Sequence, residues 1–360
     1  MLMTARTQAQ VSADAGALAG ATALVYNDFD NHAANGPAVT SAVNTALSNK
    51  VAGRQVSITA ADVTFPINPV TGRADLVQVS VYRTNARQNP VATLIAQLFG
   101  IDDVDVSATA TATAAPADLE NCVLPFTIPD KWIENQCATT PCSWTPASTF
   151  DMYASQGTKQ NAGAPLPNPD VYVPPGSADA TGYSPVTDRG LELTLKNNNQ
   201  DKIAPSMYNA WDLPGSVGGD DYRQNIATCN PNLIPIGQPM TPENGNMNGP
   251  TQQGANDLIA SDPNAHWNTI CNCVVGSAYP VSPRIRVVPL YDPVKYTEGQ
   301  HTGKSQPDLQ VVNYLGFFVE DVNGGGEVMG RITPITGRVR TSGGSGTPIG
   351  AFAQAIMLVK

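Results

Sequence analysis

Small residues recur three or four positions apart along the opening segment. Residues 4–25 read TARTQAQVSADAGALAGATALV, with Ala9, Ala13, Gly16, Ala17, Gly20 and Ala23 in register. That spacing marks one face of an α-helix, and no proline interrupts it. A stripe of small side chains lets a neighbouring helix approach closely. Glycine costs a helix roughly 1 kcal/mol relative to alanine, so two glycines inside this one point to close packing. The segment predicts a helix stem packed on a neighbour, from a partner or from this chain. An ordinary soluble helix lying on a sheet has the same pattern.

Gly36-Pro37 opens a second helix over about 37–50. Period-two alternation predicts strands at 55–66, 75–84 and 104–114, with Asn68-Pro69 and Gly72 as turn chemistry between the first two. Between Asn89-Pro90, a cap followed by a first-turn proline, and the stop Gly100, the positions Val91, Leu94, Ile95, Leu98 and Phe99 predict an amphipathic helix. Ala115-Pro116-Ala117 reads as a boundary. Beyond it, the chain is rich in Pro, Gly, Asn and Asp over 145–230. Strands are predicted at 190–196, 284–291, 310–320 and 327–335, a short helix at 251–260, and a closing strand at 349–359. Asn323-Gly324-Gly325-Gly326 forms a hairpin turn between the third and fourth of these strands. The prediction is an α+β chain. An N-terminal Ala-rich helix stem and a small α/β layer module with antiparallel strands occupy 1–116. A larger β-rich module occupies 117–360.

Composition narrows the function. Charged residues are 14 % of the 360-residue chain, against roughly 25 % in an average domain. The net charge is −10 with no run of Lys or Arg, so nucleic acid is not an expected partner. Six cysteines, Cys122, Cys137, Cys142, Cys229, Cys271 and Cys273, all follow the first third of the chain. Zinc sites need paired cysteines joined by a second pair or by histidines at ligand spacing. His32, His266 and His301 form no such pair, which favours disulfides in an oxidising compartment. Six cysteines allow fifteen connectivities. Pro141 bends the segment for a local Cys137–Cys142 loop, while Cys271 and Cys273 are expected to pair with different partners.

Four stretches give the chain a family likeness: RTQAQVSADAGALAGATAL at 6–24, PVATLIAQLFGIDDVDVSATATA at 90–112, CVLPFTIPDKW at 122–132, and two segments between Tyr222 and Trp267, YRQNIATCNPNLIPIG and GNMNGPTQQGANDLIASDPNAHW. They resemble the TadE/TadG-like proteins of tight-adherence (Flp) pilus assembly. The resemblance implies a membrane-spanning helix just upstream of Met1 and everything after it outside the cytoplasm, in the periplasm or at the cell surface. It implies a non-enzymatic role in assembly or surface display, with other pilus-assembly or pilin-like proteins as partners. The alternative is an extracellular adhesin or a calcium- or carbohydrate-binding module on the same stem.

Candidate chemistry is sparse. Asp105, Ser107 and Thr109 superficially match the start of a metal-ion-dependent adhesion site, but they share the polar face of an alternating strand. Gly218-Gly219-Asp220-Asp221 and Asn197-Asn198-Asn199-Gln200-Asp201 offer oxygen ligands for calcium without the spacing of an EF-hand loop. His266 beside Trp267 names no reaction without a positioned nucleophile or carboxylate. No catalytic residue and no cofactor is expected, calcium being the one cofactor left open.

Overall fold

The structure is a computed structural model, and it describes residues 2–26, 31–69, 74–93, 96–137, 141–177, 179–198, 202–302, 309–339 and 351–359. The chain is α+β and divides into two compact units. The first gathers the residues up to Ala115 together with 355–360, and the second runs from Pro116 to Gln354.

In the first unit, α1 (Leu2–Tyr26) and α2 (Pro37–Ser48) lie on a four-stranded sheet. Its strands are β1 (Val63–Thr64), β2 (Leu76–Arg83), β3 (Val106–Pro116) and β14 (Gln354–Val359), in the order β14-β3-β2-β1. Strands β2 and β3 pair from Leu76↔Thr113 to Arg83↔Val106. Alternation puts Val77, Val79 and Val81 against the helices, while Ser80 and Thr109 hydrogen-bond at 2.9 Å on the opposite face. Sequence order assigns the closing strand to the second module; its pairing places it in the first unit, as the edge strand beside β3.

Two predicted elements of this unit differ. The helix expected over 90–100 is a hairpin instead: Val91–Ala92 pairs with Asp103–Val104, and Ala96–Phe99 makes one 3₁₀ turn. Long-range bonds outweigh the periodicity. Arg83 donates to the carbonyls of Asn89 and Pro90 at 2.8 Å each, and Thr93 N–H reaches the Asp102 carbonyl at 2.9 Å. Asn89 spends its side chain on the Gln55 carbonyl and caps nothing. Leu94 and Ile95 of the expected helix face lie outside the described residues, as does Gly72 of the expected turn. The strand expected over 55–66 is interrupted at Ala60–Asp62 because Asp62 accepts from the backbone and hydroxyl of Thr59, closing a capping box.

The second unit is built on a closed barrel. Its strands are β4 (Phe126–Pro129), β5 (Glu192–Asn197), β6 (Met207–Asp212), β10 (Ile285–Tyr291), β12 (Asn313–Val322) and β13 (Val328–Ile332). The order is β5-β13-β12-β10-β4-β6, and a parallel β6–β5 pairing closes the ring. Strands β4 and β10 are also parallel. Alternate residues of all six strands, among them Phe126, Leu195, Tyr208, Val288, Phe317 and Ile332, form one fully buried cluster. Helices α3 (Gly219–Ala227) and α4 (Asn248–Ala260) pack on each other and add Tyr222, Ile226 and Leu258 to it. Strand β7 (Pro239–Pro242) extends the sheet beyond β6, and β11 (Leu309–Gln310) beyond β7. Strands β8 (His266–Asn268) and β9 (Cys273–Val275) form a separate hairpin, and α5 (Pro293–His301) follows β10, capped by Asp292.

Candidate functional site

The stripe on α1 is buried along its length. Ala9, Ala13, Ala17 and Ala21 are at most 1 % exposed, and they join a core with Ala38, Ala42 and Ala46 of α2 and the valines of β2. A Cβ on Gly16 would meet the Ala42 carbonyl at 3.1 Å, and one on Gly20 would meet Val77 Cγ1 at 2.8 Å. The neighbour of the stem is therefore this chain's own second helix and sheet. Ala23 is buried too, outside that cluster. Ser12, unmarked in the small-residue pattern, donates its hydroxyl to the Ala46 carbonyl at 2.9 Å and ties the two helices together.

All six cysteines are paired: Cys122–Cys229, Cys137–Cys142 and Cys271–Cys273. The local Cys137–Cys142 loop is present. The expectation of different partners for Cys271 and Cys273 is corrected: they bond to each other. Asn268 Oδ1 accepts from the N–H groups of Ile270 and Cys271, and Asn272 takes a left-handed conformation at φ 52°. Both draw the end of the β8–β9 hairpin tight enough to join residues two apart. Disulfides imply an oxidising, extracytoplasmic environment. Among the described residues, no helix is long and apolar enough to cross a membrane.

A densely bonded polar site is one that periodicity does not mark. Asp130 directly follows β4, where the parallel strands β4 and β10 end side by side. It is fully buried. Its Oδ1 accepts from the N–H groups of Lys131 at 2.8 Å and Tyr183 at 3.1 Å. Its Oδ2 accepts from Asn313 Nδ2 at 3.0 Å and the Tyr172 hydroxyl at 3.2 Å. Burial raises its pKa to about 6 against the pull of these donors. The next two residues continue the clasp. Lys131 pairs with Asp188 at 2.5 Å and lies over the Trp144 ring, and Trp132 packs edge-on to Trp144 and Phe150. Pro129-Asp130-Lys131-Trp132 thus pins the 170–188 loop and the start of β12 to one end of the barrel. With every lone pair of the carboxylate directed at a protein donor, the chemistry is structural.

Asp170 is similar. It accepts from the backbone of Asn135 at 2.6 Å, Gln136 at 3.1 Å and Asp151 at 2.7 Å. Burial, and to a lesser degree the charge of Glu134, raise it to about 7. Backbone N–H groups occupy these carboxylate oxygens, so they do not form a cation cage. Among the described residues, no three His, Cys, Asp or Glu side chains converge as metal ligands.

A shallow recess holds Asp212 and Glu243 beside Tyr222 and Asn225. Asp212 is raised to about 6, first by burial and then by its hydrogen bond to Glu243 and that group's charge. Such a pair could exchange a proton, but the recess has no interior room for even a water-sized molecule, far short of a ligand pocket.

The remaining candidates resolve into local structure. Asp105 accepts from the Asn85 backbone at 2.7 Å, and Ser107 and Thr109 lie in β3 opposite Tyr82 and Ser80. Asp220 and Asp221 occupy the first turn of α3, where negative charge favours the helix dipole; Asp221 also accepts from Val217 N–H. Asn199, Gln200 and Asp201 lie outside the described residues. His266 is exposed with Nδ1 near the Asn264 carbonyl, and Trp267 packs against Phe318. His32 stacks on Phe65, and His301 on Tyr153.

Comparison with family models, curated proteins and solved structures finds no match to the chain.

Proposed function

We propose that this protein is a non-enzymatic assembly or surface-display component of an extracytoplasmic pilus system, of the TadE/TadG-like kind its sequence resembles. It acts through protein–protein contacts. The observation that carries the reading is the seating of α1. A long helix is locked by its small-residue face onto a sheet, while Met3 and Val11 stay 83 % and 52 % exposed on the same helix. These exposed apolar positions offer a contact to a neighbouring subunit. The three disulfides fit a role outside the cytoplasm. The carboxylates of Asp130 and Asp170, each held by three or four protein donors, fit a scaffold.

The test is made in the source cells, with the gene in its natural reading frame. Val11→Arg, and separately Met3→Arg, are expected to abolish surface appendages or partner cross-links while leaving the melting temperature unchanged. Normal appendages with both variants, or protection of the protein from protease added outside the cytoplasmic membrane, would remove the proposal.

A further inference from the structure

The Cys271–Cys273 disulfide differs from the other two in what it spans. Cys122–Cys229 bridges residues 107 apart and Cys137–Cys142 bridges residues 5 apart, whereas this one joins residues 2 apart, within a hairpin already held by its own pairing. Loop-closure stabilisation falls with loop length, so this bond contributes least to holding the fold. Its setting is built nonetheless. Arg189 Nε donates to the Asn272 carbonyl at 2.8 Å, and Asn272 Nδ2 donates back to the Arg189 carbonyl at 2.9 Å. The guanidinium-bearing residue is thereby fixed to the residue between the two sulfurs. Gly190, at φ +82°, leaves room for that clasp, since a Cβ there would sit 2.1 Å from Asn272 Oδ1. Nearby positive charge lowers a thiol's pKa and makes the sulfur a better leaving group. Cys271 is exposed, and the adjoining Ile270 is 95 % exposed, an apolar contact for an incoming chain.

We propose that Cys271–Cys273 is a thiol–disulfide exchange site whose reactant is a cysteinyl thiolate carried on another polypeptide. The thiolate attacks one sulfur of the pair. A new S–S bond forms to the reactant, the Cys271–Cys273 bond breaks, and the second sulfur leaves with the bonding electrons as a thiolate beside Arg189. Where the reactant carries a second thiol, that group loses its proton to solvent and attacks the reactant's own sulfur in the mixed disulfide; the mixed S–S bond breaks and this chain's cysteine leaves as a thiolate. The reactant is then oxidised by two electrons to a disulfide, and Cys271 and Cys273, reduced by two electrons, take protons from solvent and end as thiols.

The test uses the native protein in graded dithiothreitol, quenched with acid and alkylated, with each cysteine read by peptide mass spectrometry. Cys271 and Cys273 are expected to become labelled at a reductant concentration at least tenfold below that needed for the other four. Simultaneous labelling of all three pairs, or labelling of this pair last, overturns the proposal. Exchange rates with glutathione and with a single-cysteine peptide of apolar flanks then separate the two sources of thiol. A faster peptide reaction supports a polypeptide reactant, and a faster glutathione reaction overturns that choice. Arg189→Ala is expected to slow exchange several-fold by the same factor across the pH range, since the leaving sulfur departs as a thiolate at every pH, with Arg189→Lys restoring most of the rate. An unchanged rate in Arg189→Ala, or no recovery in Arg189→Lys, overturns the part given to Arg189.

Discussion

Asp130 gathers four donors from three parts of the chain into one carboxylate. In Asp130→Asn, one oxygen becomes an amide nitrogen facing donors it cannot accept from. Losing such bonds to a buried charge is expected to cost about 3 kcal/mol, measured as a shift in urea midpoint at constant slope. Gly20 sets a different limit. Alanine would gain roughly 1 kcal/mol in helix propensity, but its Cβ would press on Val77, a stiff β-branched side chain, at 2.8 Å. Overpacking costs about 1–3 kcal/mol, so Gly20→Ala is expected to lower stability by about 1 kcal/mol net. Stability equal to or above that of the parent would contradict the close approach. The two residues differ in how far the sequence reveals them. Gly20 belongs to a periodic stripe, and period is a local property. Asp130 draws its meaning from Tyr172, Tyr183 and Asn313, far along the chain, and no local pattern records such partners.

At the scale of elements, the alternating valines of β2 and the hairpin of β12 and β13 around Asn323-Gly324-Gly325-Gly326 were legible, because the pattern and the structure share one physical cause. The segment at 90–100 was not. Its apolar spacing reads as a helix, yet β-branched Val91 and Thr93 tolerate strand geometry, and the Arg83 guanidinium fixes the carbonyls before them. The disulfides rank in the same terms. Chain-entropy reasoning gives about 4.7 kcal/mol for a loop of roughly 100 residues and about 2 kcal/mol for a loop of half a dozen. Replacing Cys122 and Cys229 together with Ser is therefore expected to lower the melting temperature far more than replacing Cys137 and Cys142. Equal losses in differential scanning calorimetry would mean that the Cys122–Cys229 bridge does not restrain the unfolded chain.

The whole molecule carries a net charge of −10 and several carboxyls held above their ordinary range. Burial raises Glu120 to about 8, Asp170 to about 7, and Asp130 and Asp212 to about 6. In the unfolded chain these groups ionise near pH 4. Between pH 4 and pH 8 the folded state therefore binds more protons than the unfolded state, and stability falls as pH rises. Asp262 and Glu327, whose pKa values are lowered, work the other way, but only as pH falls below about 4. Guanidinium unfolding is expected to show a protein more stable at pH 5 than at pH 8 by about 3 kcal/mol or more, since each shifted group contributes up to ~1.4 kcal/mol per pH unit. A flat profile, or one that rises with pH, would refute these burials.

The pairing of β14 with β3 has a consequence in time. The stem helix, its companion and three strands precede the barrel in the chain, but the strand that covers the edge of β3 follows it. While the barrel portion is still being synthesised, β3 presents an open row of backbone donors and acceptors. Such an edge invites pairing with any extended segment nearby. The first unit therefore completes its sheet only after the whole barrel segment has been made, so a chain cut between the barrel and β14 would be left with the edge of β3 unsealed.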